Sequence, residues 1–349
     1  MKVDLIAAGT RMTEAAELAR QVRDGGWSGI AFAEGGRTAY LSCGAAALAV
    51  PELDYTTAVA LAFPRSPMTT AGIAWELAEA SGGRFTLGLG SQVRAHIERR
   101  YSAPFDPPGP RLREYVLALR AIFRAFQGTE KLDFRGDYYS FTLFNKQWSP
   151  GRIAHPDIPI YISAVGPWML RMAGEVCDGI HIHPFHSVEY LQDVVLPKVA
   201  EGAARAGRDA DEVQLAIPCM TVVGDTEDER RRAARRTRRQ IAFYGSTKNY
   251  APVLAHHGHE ELSPRFNEAI KAGDQAAAEA LVSDELLEHY AVVAGWDELS
   301  DRIVERYQGL ADRLILYFTF ADWHRDPTSL GRWSEVARDV IARTGSTPV

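Results

Sequence analysis

Short apolar runs alternate with longer amphipathic stretches along most of the chain. Val3–Ala7, Gly29–Ala33, Thr57–Ala62, Arg84–Leu89, Ile158–Ile162, Gly179–His183, Val213–Ile217 and Arg313–Phe318 read as eight buried strands. Their near-continuous apolar character suits a sheet covered on both faces. Between them run helical patterns at Thr13–Arg23, Tyr40–Ala49 (stopped by Pro51), Met68–Ala80, Pro110–Phe126, Val188–Ala206, Thr226–Phe243 and Leu330–Arg343, with another opening at Gly166-Pro167. In the first of these, Ala15, Leu18, Ala19 and Val22 share one face and Thr13 is the expected N-cap. This order predicts a parallel sheet with crossover helices. Periodicity alone leaves a closed (β/α)8 barrel and a doubly wound sheet both open.

Two stretches break the alternation. Leu132–Phe144 alternates aromatic and polar residues around Gly136-Asp137 and predicts a β-hairpin insertion at about residues 130–145. Lys248–Tyr290 reads as irregularly helical and predicts a second insertion at 248–290. No linker or low-complexity segment divides the chain, so one elaborated domain over residues 1–349 is expected.

Composition narrows the class. A hydrophobic fraction of 46% over 349 residues supports a large core, and a net charge of −6 points away from nucleic acid. The Glu229–Arg239 run follows an acidic first turn, the charge order of a solvated helix. Cys43, Cys177 and Cys219 are far apart, without metal spacing, and read as reduced core thiols. The opening apolar run is too short for a signal peptide, and no stretch reaches the roughly 18 apolar residues of a membrane span. A cytoplasmic protein acting on a small molecule is expected, with no nucleic-acid or membrane partner.

Chemistry is sought at strand ends. Ala164, Val165 and Gly166 leave a strand and open a helix, where unpaired N–H groups and the helix dipole favour a phosphate. Gly88 and Gly90 close the strand Arg84–Leu89, where glycine would let a planar ring approach the backbone. Ser91, Gln92 and His96 follow, with Gln92 and His96 on one helix face. Glu34 ends the second strand, as either a proton-handling carboxylate or one that bonds loop amides. His181 and His183 share a strand face and could share a metal, but no supporting ligand motif accompanies them, so no metal site is expected. His256, His257 and His259 read as exposed loop histidines.

Taken together, Gly83–Gln92 (GRFTLGLGSQ), Phe134–Phe141 (FRGDYYSF), Pro159–Pro167 (PIYISAVGP) with Ala173–His181 (AGEVCDGIH), Ile241–Thr247 (IAFYGST) and Val293–Ile303 (VAGWDELSDRI) resemble the luciferase-like oxidoreductase superfamily, and within it the group using coenzyme F420, an 8-hydroxy-5-deazaflavin. The resemblance covers nearly the whole chain and implies a (β/α)8 barrel of the luciferase-like type. It implies hydride transfer between the deazaflavin C5 and a small organic substrate; the alternative on the same barrel is an FMN-dependent monooxygenase using reduced flavin and oxygen. It implies a non-prolyl cis peptide at about Ala60–Leu61, where Ala60 and Leu61 back the ring. Gly90, Ser91, Gln92, Ala164, Val165 and Gly166 would then hold the phosphate side, and Glu34 or His96 the proton. Tyr138, Trp168, His183 and Phe185 are the candidate pocket walls, and a homodimer is expected. The chain departs from several deazaflavin-dependent dehydrogenases in reading AEGG, with Gly35 where an Asp-His pair would place its histidine.

Overall fold

The computed structural model describes residues 1–345. Eight strands run parallel: β1 (Lys2–Ala8), β2 (Gly29–Ala33), β3 (Asp54–Thr57), β4 (Phe85–Gly90), β5 (Ile160–Ser163), β6 (Gly179–His181), β7 (Gln214–Val223) and β8 (Arg313–Leu316). They pair in chain order, and β8 lies between β7 and β1. The β6–β7 pairing joins the two halves, so the sheet is a closed (β/α)8 barrel. The closed pairing decides between the two topologies that periodicity left open.

Strand alternation sorts the side chains into two sets. Val3, Leu5, Ile30, Phe32, Leu87, Ile160 and Ile162 point outward into the core shared with the helices. Ala31, Tyr161, Ala216 and Ile315 fill the lumen with Ile6 and Ala58 beside them. The outer ring is α1 (Met12–Asp24), α2 (Ala39–Ala49), α3 (Pro67–Ala80), α4 (Pro108–Gln127), α5 (Pro167–Val176), α6 (Leu196–Arg205), α7 (Glu227–Gly245) and α8 (Ser329–Arg343). Local signals explain several starts. Ser66 accepts the Thr69 N–H ahead of Pro67, and Thr226 with Glu229 forms a capping box on α7. Thr13 is not a cap: α1 begins one residue earlier, after Arg11.

The lumen is plugged at the strand N-termini by charge. Arg313 donates to both oxygens of Asp4 (2.6 and 2.7 Å) and to Asp54 (2.7 Å), which also accepts from Lys2. Burial raises the Asp4 pKa despite this partner, whereas Arg313 and Lys2 together hold Asp54 below the usual range.

Strand three departs from the expected single run Thr57–Ala62. The strand starts at Asp54, ahead of the expected run, breaks after Thr57 and resumes as Ala60–Leu61 against Leu89 and Gly90 of β4. The non-prolyl cis bond lies in the break, at Ala58–Val59 and not at Ala60–Leu61. Thr57 holds the chain just before it, its hydroxyl donating to the Gly88 carbonyl and accepting the Gly88 N–H. A short hairpin, Phe134–Arg135 with Ser140–Phe141, forms as expected. Residues 248–290 are helical, with helices at Ala251–Ala255, Leu262–Ala272, Gln275–Ala280 and Asp284–Tyr290. The following strand, Ala291–Ala294, extends the sheet beside the end of β7 and was not expected. No described helix is long and apolar enough to cross a membrane.

Candidate active site at the C-terminal mouth of the barrel

A cleft of about 1020 Å³ opens at the strand N-termini beside Lys2, Arg84, Arg120, His155, Asp178 and Arg313. Catalytic groups of parallel barrels arise at the opposite end, where strands deliver side chains into the βα loops. The sequence-predicted residues lie at that opposite end, and the structure gives each a definite environment.

Glu34 follows β2. Its carboxylate is 4% exposed and bound at both oxygens. Oε1 accepts from Arg65 Nη2 (2.5 Å), and Oε2 from Arg65 Nη1 (3.0 Å) and the Leu61 N–H (2.8 Å). Of the two roles open to Glu34, this geometry is that of a carboxylate anchoring a loop amide. It fixes Leu61 just beyond the strand break, while Arg65 also lies 5.1 Å over the Tyr40 ring. His96 sits exposed on the short helix Arg94–Arg99, and the two loops are tied by Arg100, which donates to the Gly35 carbonyl.

The glycines of β4 have a different reason from the one expected. A Cβ on Gly88 would stand 1.8 Å from the Thr57 carbonyl and 2.6 Å from His181 Nε2, so glycine is needed for the strand to close on its neighbour. On Gly90 it would meet Val59 and Ser163 Oγ. Gln92 adopts a left-handed φ of 56° and its own Oε1 caps the Val93 N–H, while the Ser91 hydroxyl donates to the Gln92 carbonyl. Ala60 and Leu61 are buried.

The end of β5 is open. Gly166 is the N-cap of α5, with no side chain capping it, Pro167 at the first turn, and no atom within 4 Å of the Cβ it lacks. The first-turn N–H groups there have no side-chain acceptor, as an anion seat requires. Ala164 is buried, Val165 half-buried and Gly166 exposed. Trp168, 43% exposed, lays its ring on Gly109 of α4. Two residues on, the Arg111 guanidinium sits 4.9 Å over Tyr138. Glu114 pins that hairpin by accepting the N–H groups of Asp137, Tyr138 and Tyr139. Trp168 and Tyr138 thus flank the same helix start.

The histidines separate into layers. His181 lies in the lumen against Thr56 (3.2 Å), and its Nδ1 has no partner. Two residues later on the same face, His183 reaches the mouth. Its Nδ1 accepts the Phe185 N–H (3.1 Å), which leaves the ring proton on Nε2. The ring stacks on Tyr250 (4.1 Å) and meets Tyr244 edge-on, and Tyr244 is hydrogen-bonded to Tyr317. Burial pushes His183 down to about 3. Phe185, expected in the pocket wall, is 1% exposed and packs on Tyr290. The strand ends at His181, and the bend at Pro184-Phe185 turns the ring away from the face that alternation would assign it. His257 is likewise no free loop residue: its side chain is 9% exposed.

Sequence reasoning missed Tyr244, Tyr250 and Tyr317 as site residues. Tyr244 lies inside the IAFYGST segment, so a signal existed; Tyr250 comes from the insertion, where sequence gave no direction. Arg111 carried none.

A closed parallel barrel with an anion-ready helix start beside β5 and an aromatic-walled mouth defines a (β/α)8 enzyme scaffold. The family model of luciferase-like monooxygenases matches residues 2–313, and the chain belongs to that family of oxidoreductases. An uncharacterised protein of Mycobacterium tuberculosis is 39% identical over 307 residues, 88% of this chain and 89% of that one. The 5,10-methylenetetrahydromethanopterin reductase of Methanopyrus kandleri is 29% identical over 260 residues, 70% of each chain. Among solved structures, the coenzyme F420-dependent tetrahydromethanopterin reductase from the same organism superposes with a TM-score of 0.77 at 22% identity, covering 98% of this chain and 99% of that one. A riboflavin lyase with modified FMN and riboflavin gives 0.73 at 12% identity, covering 100% and 93%.

Proposed function

We propose that this protein is an F420-dependent oxidoreductase that moves a hydride between the deazaflavin and a small organic substrate. The observation that carries the choice of cofactor is the 29% identity along 70% of the chain to a methylenetetrahydromethanopterin reductase of Methanopyrus kandleri, taken with the coenzyme F420-dependent tetrahydromethanopterin reductase structure from that organism. The residues fit such a cofactor. The uncapped start of α5, with open space at Gly166, would take its phosphate. Val59, Ala60 and Leu61 would lie under its ring, with the Leu61 amide held by Glu34. Bound there, the cofactor supplies a ring carbon that accepts or donates a hydride.

The chain's own part is positioning and proton handling. His183 is held neutral with Nε2 carrying its proton, which suits it to hydrogen-bond a carbonyl or imine on a substrate in the mouth. Tyr244 and Tyr250 fix the imidazole plane and keep water from it. In this reading His183 replaces Glu34 and His96 as the group nearest the chemistry.

The competing reading is an FMN enzyme on the same barrel, supported by the fold match to the riboflavin lyase. Both cofactors present a phosphate and a planar tricyclic ring. Parallel fluorescence titrations of the apo-protein with F420 and FMN separate them. Tight F420 and weak FMN binding is expected. The reverse order would move the protein to the flavin enzymes, and binding of neither would remove the cofactor assignment.

A further inference from the structure

Away from the mouth's histidine, three side chains from three separate elements converge. Glu189 sits in the turn Val188–Tyr190 after β6, His257 just beyond the helix Ala251–Ala255, and His289 in the helix Asp284–Tyr290. One ligand-capable atom of each lies within 4.8 Å of the others. Glu189 Oε2 is 4.0 Å from His257 Nε2, which also lies 2.8 Å from Ser187 Oγ. The His257 and His289 rings face each other at 3.9 Å, and no described protein group hydrogen-bonds the His289 ring. Next to them His256 contacts Asp193 at 3.3 Å.

Packing alone gives a weak account of this arrangement. Two imidazoles face to face gain no hydrogen bond from one another, and a carboxylate turned toward both is the complement of a cation. We propose that Glu189, His257 and His289 bind a divalent transition-metal ion, zinc by donor chemistry, with water completing the set. Two imidazole nitrogens and one carboxylate oxygen form the His2Glu combination that suits zinc, whereas calcium and magnesium demand oxygen ligands. Zinc bonds of about 2.0–2.2 Å at a tetrahedral angle set two ligand atoms about 3.3–3.5 Å apart. The 4.0 Å between Glu189 and His257 is about half an ångström wider than that, and His257 Nε2, 2.8 Å from Ser187 Oγ, must release that hydroxyl to face the ion. The remaining closure falls to Glu189, whose side chain is 56% exposed and free to turn inward.

The ion would fasten the helical insertion to the loop after β6. His257 lies seven residues past Tyr250, the ring that stacks on His183, and Glu189 six past His183 itself. The site is therefore a clamp on the wall of the mouth, and it stands whichever cofactor binds.

The test uses full-length, tag-free protein stripped with chelator. Zinc titration by calorimetry should show one equivalent per chain, and cobalt in its place should give the intense visible absorption of a four-coordinate site. Zinc should raise Tm. His289→Ala and Glu189→Gln, both on the solvent side, should weaken zinc binding more than about a hundredfold, beyond the roughly 10–100-fold typical of losing a mere supporting group. His259→Ala should leave it unchanged. Circular dichroism checks that each variant is folded. Absence of stoichiometric binding would overturn the proposal. So would binding that survives both His289→Ala and Glu189→Gln, which would put the zinc elsewhere.

Discussion

Glu34→Gln separates an anchoring carboxylate from a proton-handling one. The Glu34 side chain is 4% exposed and Arg65 20%, and three hydrogen bonds, two of them in a bidentate ion pair, meet at the carboxylate. Removing one member of a fully buried pair costs about 3–5 kcal/mol, because the other charge is left without a partner. Arg65 keeps some hydration, so about 2–3 kcal/mol is the reasonable loss for Glu34→Gln, whose amide nitrogen would face a guanidinium that can only donate. Arg65→Met should lose a similar amount by stranding the carboxylate. The double variant should be less damaging than the sum by about 1.5–2 kcal/mol, the signature of two residues acting on one another. Urea unfolding followed by tryptophan fluorescence reads all three. Cofactor affinity should fall in both single variants, since each loosens the Leu61 amide. If Glu34→Gln unfolds at the wild-type urea concentration while abolishing turnover, and Arg65→Met does neither, the anchoring argument is wrong.

Three further outcomes follow from the geometry. Gly88→Ala should cost more than about 3 kcal/mol or prevent folding, because its Cβ would enter the Thr57 carbonyl; a variant with wild-type Tm would contradict the packing described. Gly166→Ala meets no atom, so Tm should hold while affinity for the phosphate-bearing cofactor drops; unchanged affinity would place the phosphate elsewhere. His181 and His183, pushed down to about 3, and His186, to about 4, chiefly by burial, are neutral in the fold yet protonate near 6.5 when unfolded. The unfolded chain therefore binds more protons as pH falls from 6.5 toward 4, and stability drops by about 1.4 kcal/mol per pH unit for each. His181→Asn should remove about one such share of the slope in urea unfolding at pH 7.5, 6 and 5, and an unaltered slope would show that His181 titrates normally in the fold.

Most of the barrel was readable because its signal is local and repeated. Eight apolar runs and most of the helices between them appear in the chain, although the third strand starts at Asp54, ahead of the expected Thr57, and the seventh runs on to Val223, past Ile217; closure needed long-range pairing. What was not readable depended on contacts between distant segments. Glu34 could not be assigned without Arg65, which lies 31 residues away and converts a candidate acid into an anchor. Gly88 looked like room for a ring, although the room is filled by Thr57 and His181 from two other strands. Phe185 shares by alternation the face of His183, but the chain leaves the strand after His181 and bends it onto Tyr290. The helical insertion showed no periodic face that would aim Tyr250 at His183 or His257 at Glu189, since those faces are set by packing on α7 and the loop after β6.

The ion pair at the floor of the lumen bears on how the chain becomes a barrel while it is still being made. Asp4 and its partner Arg313 are 309 residues apart. At roughly 5–20 residues per second, a ribosome needs about 15–60 s to bring the second into existence after the first. Throughout that interval the outer edge of β1 has no neighbour and offers its N–H and C=O groups to any strand nearby. Asp4 points inward on that same edge, a bare carboxylate that a foreign strand could cover only by burying it unpaired. The arginine that neutralises it arrives on the one strand that belongs there. An acid that looks like a costly choice in the finished lumen thus guards the nascent edge until β8 closes it.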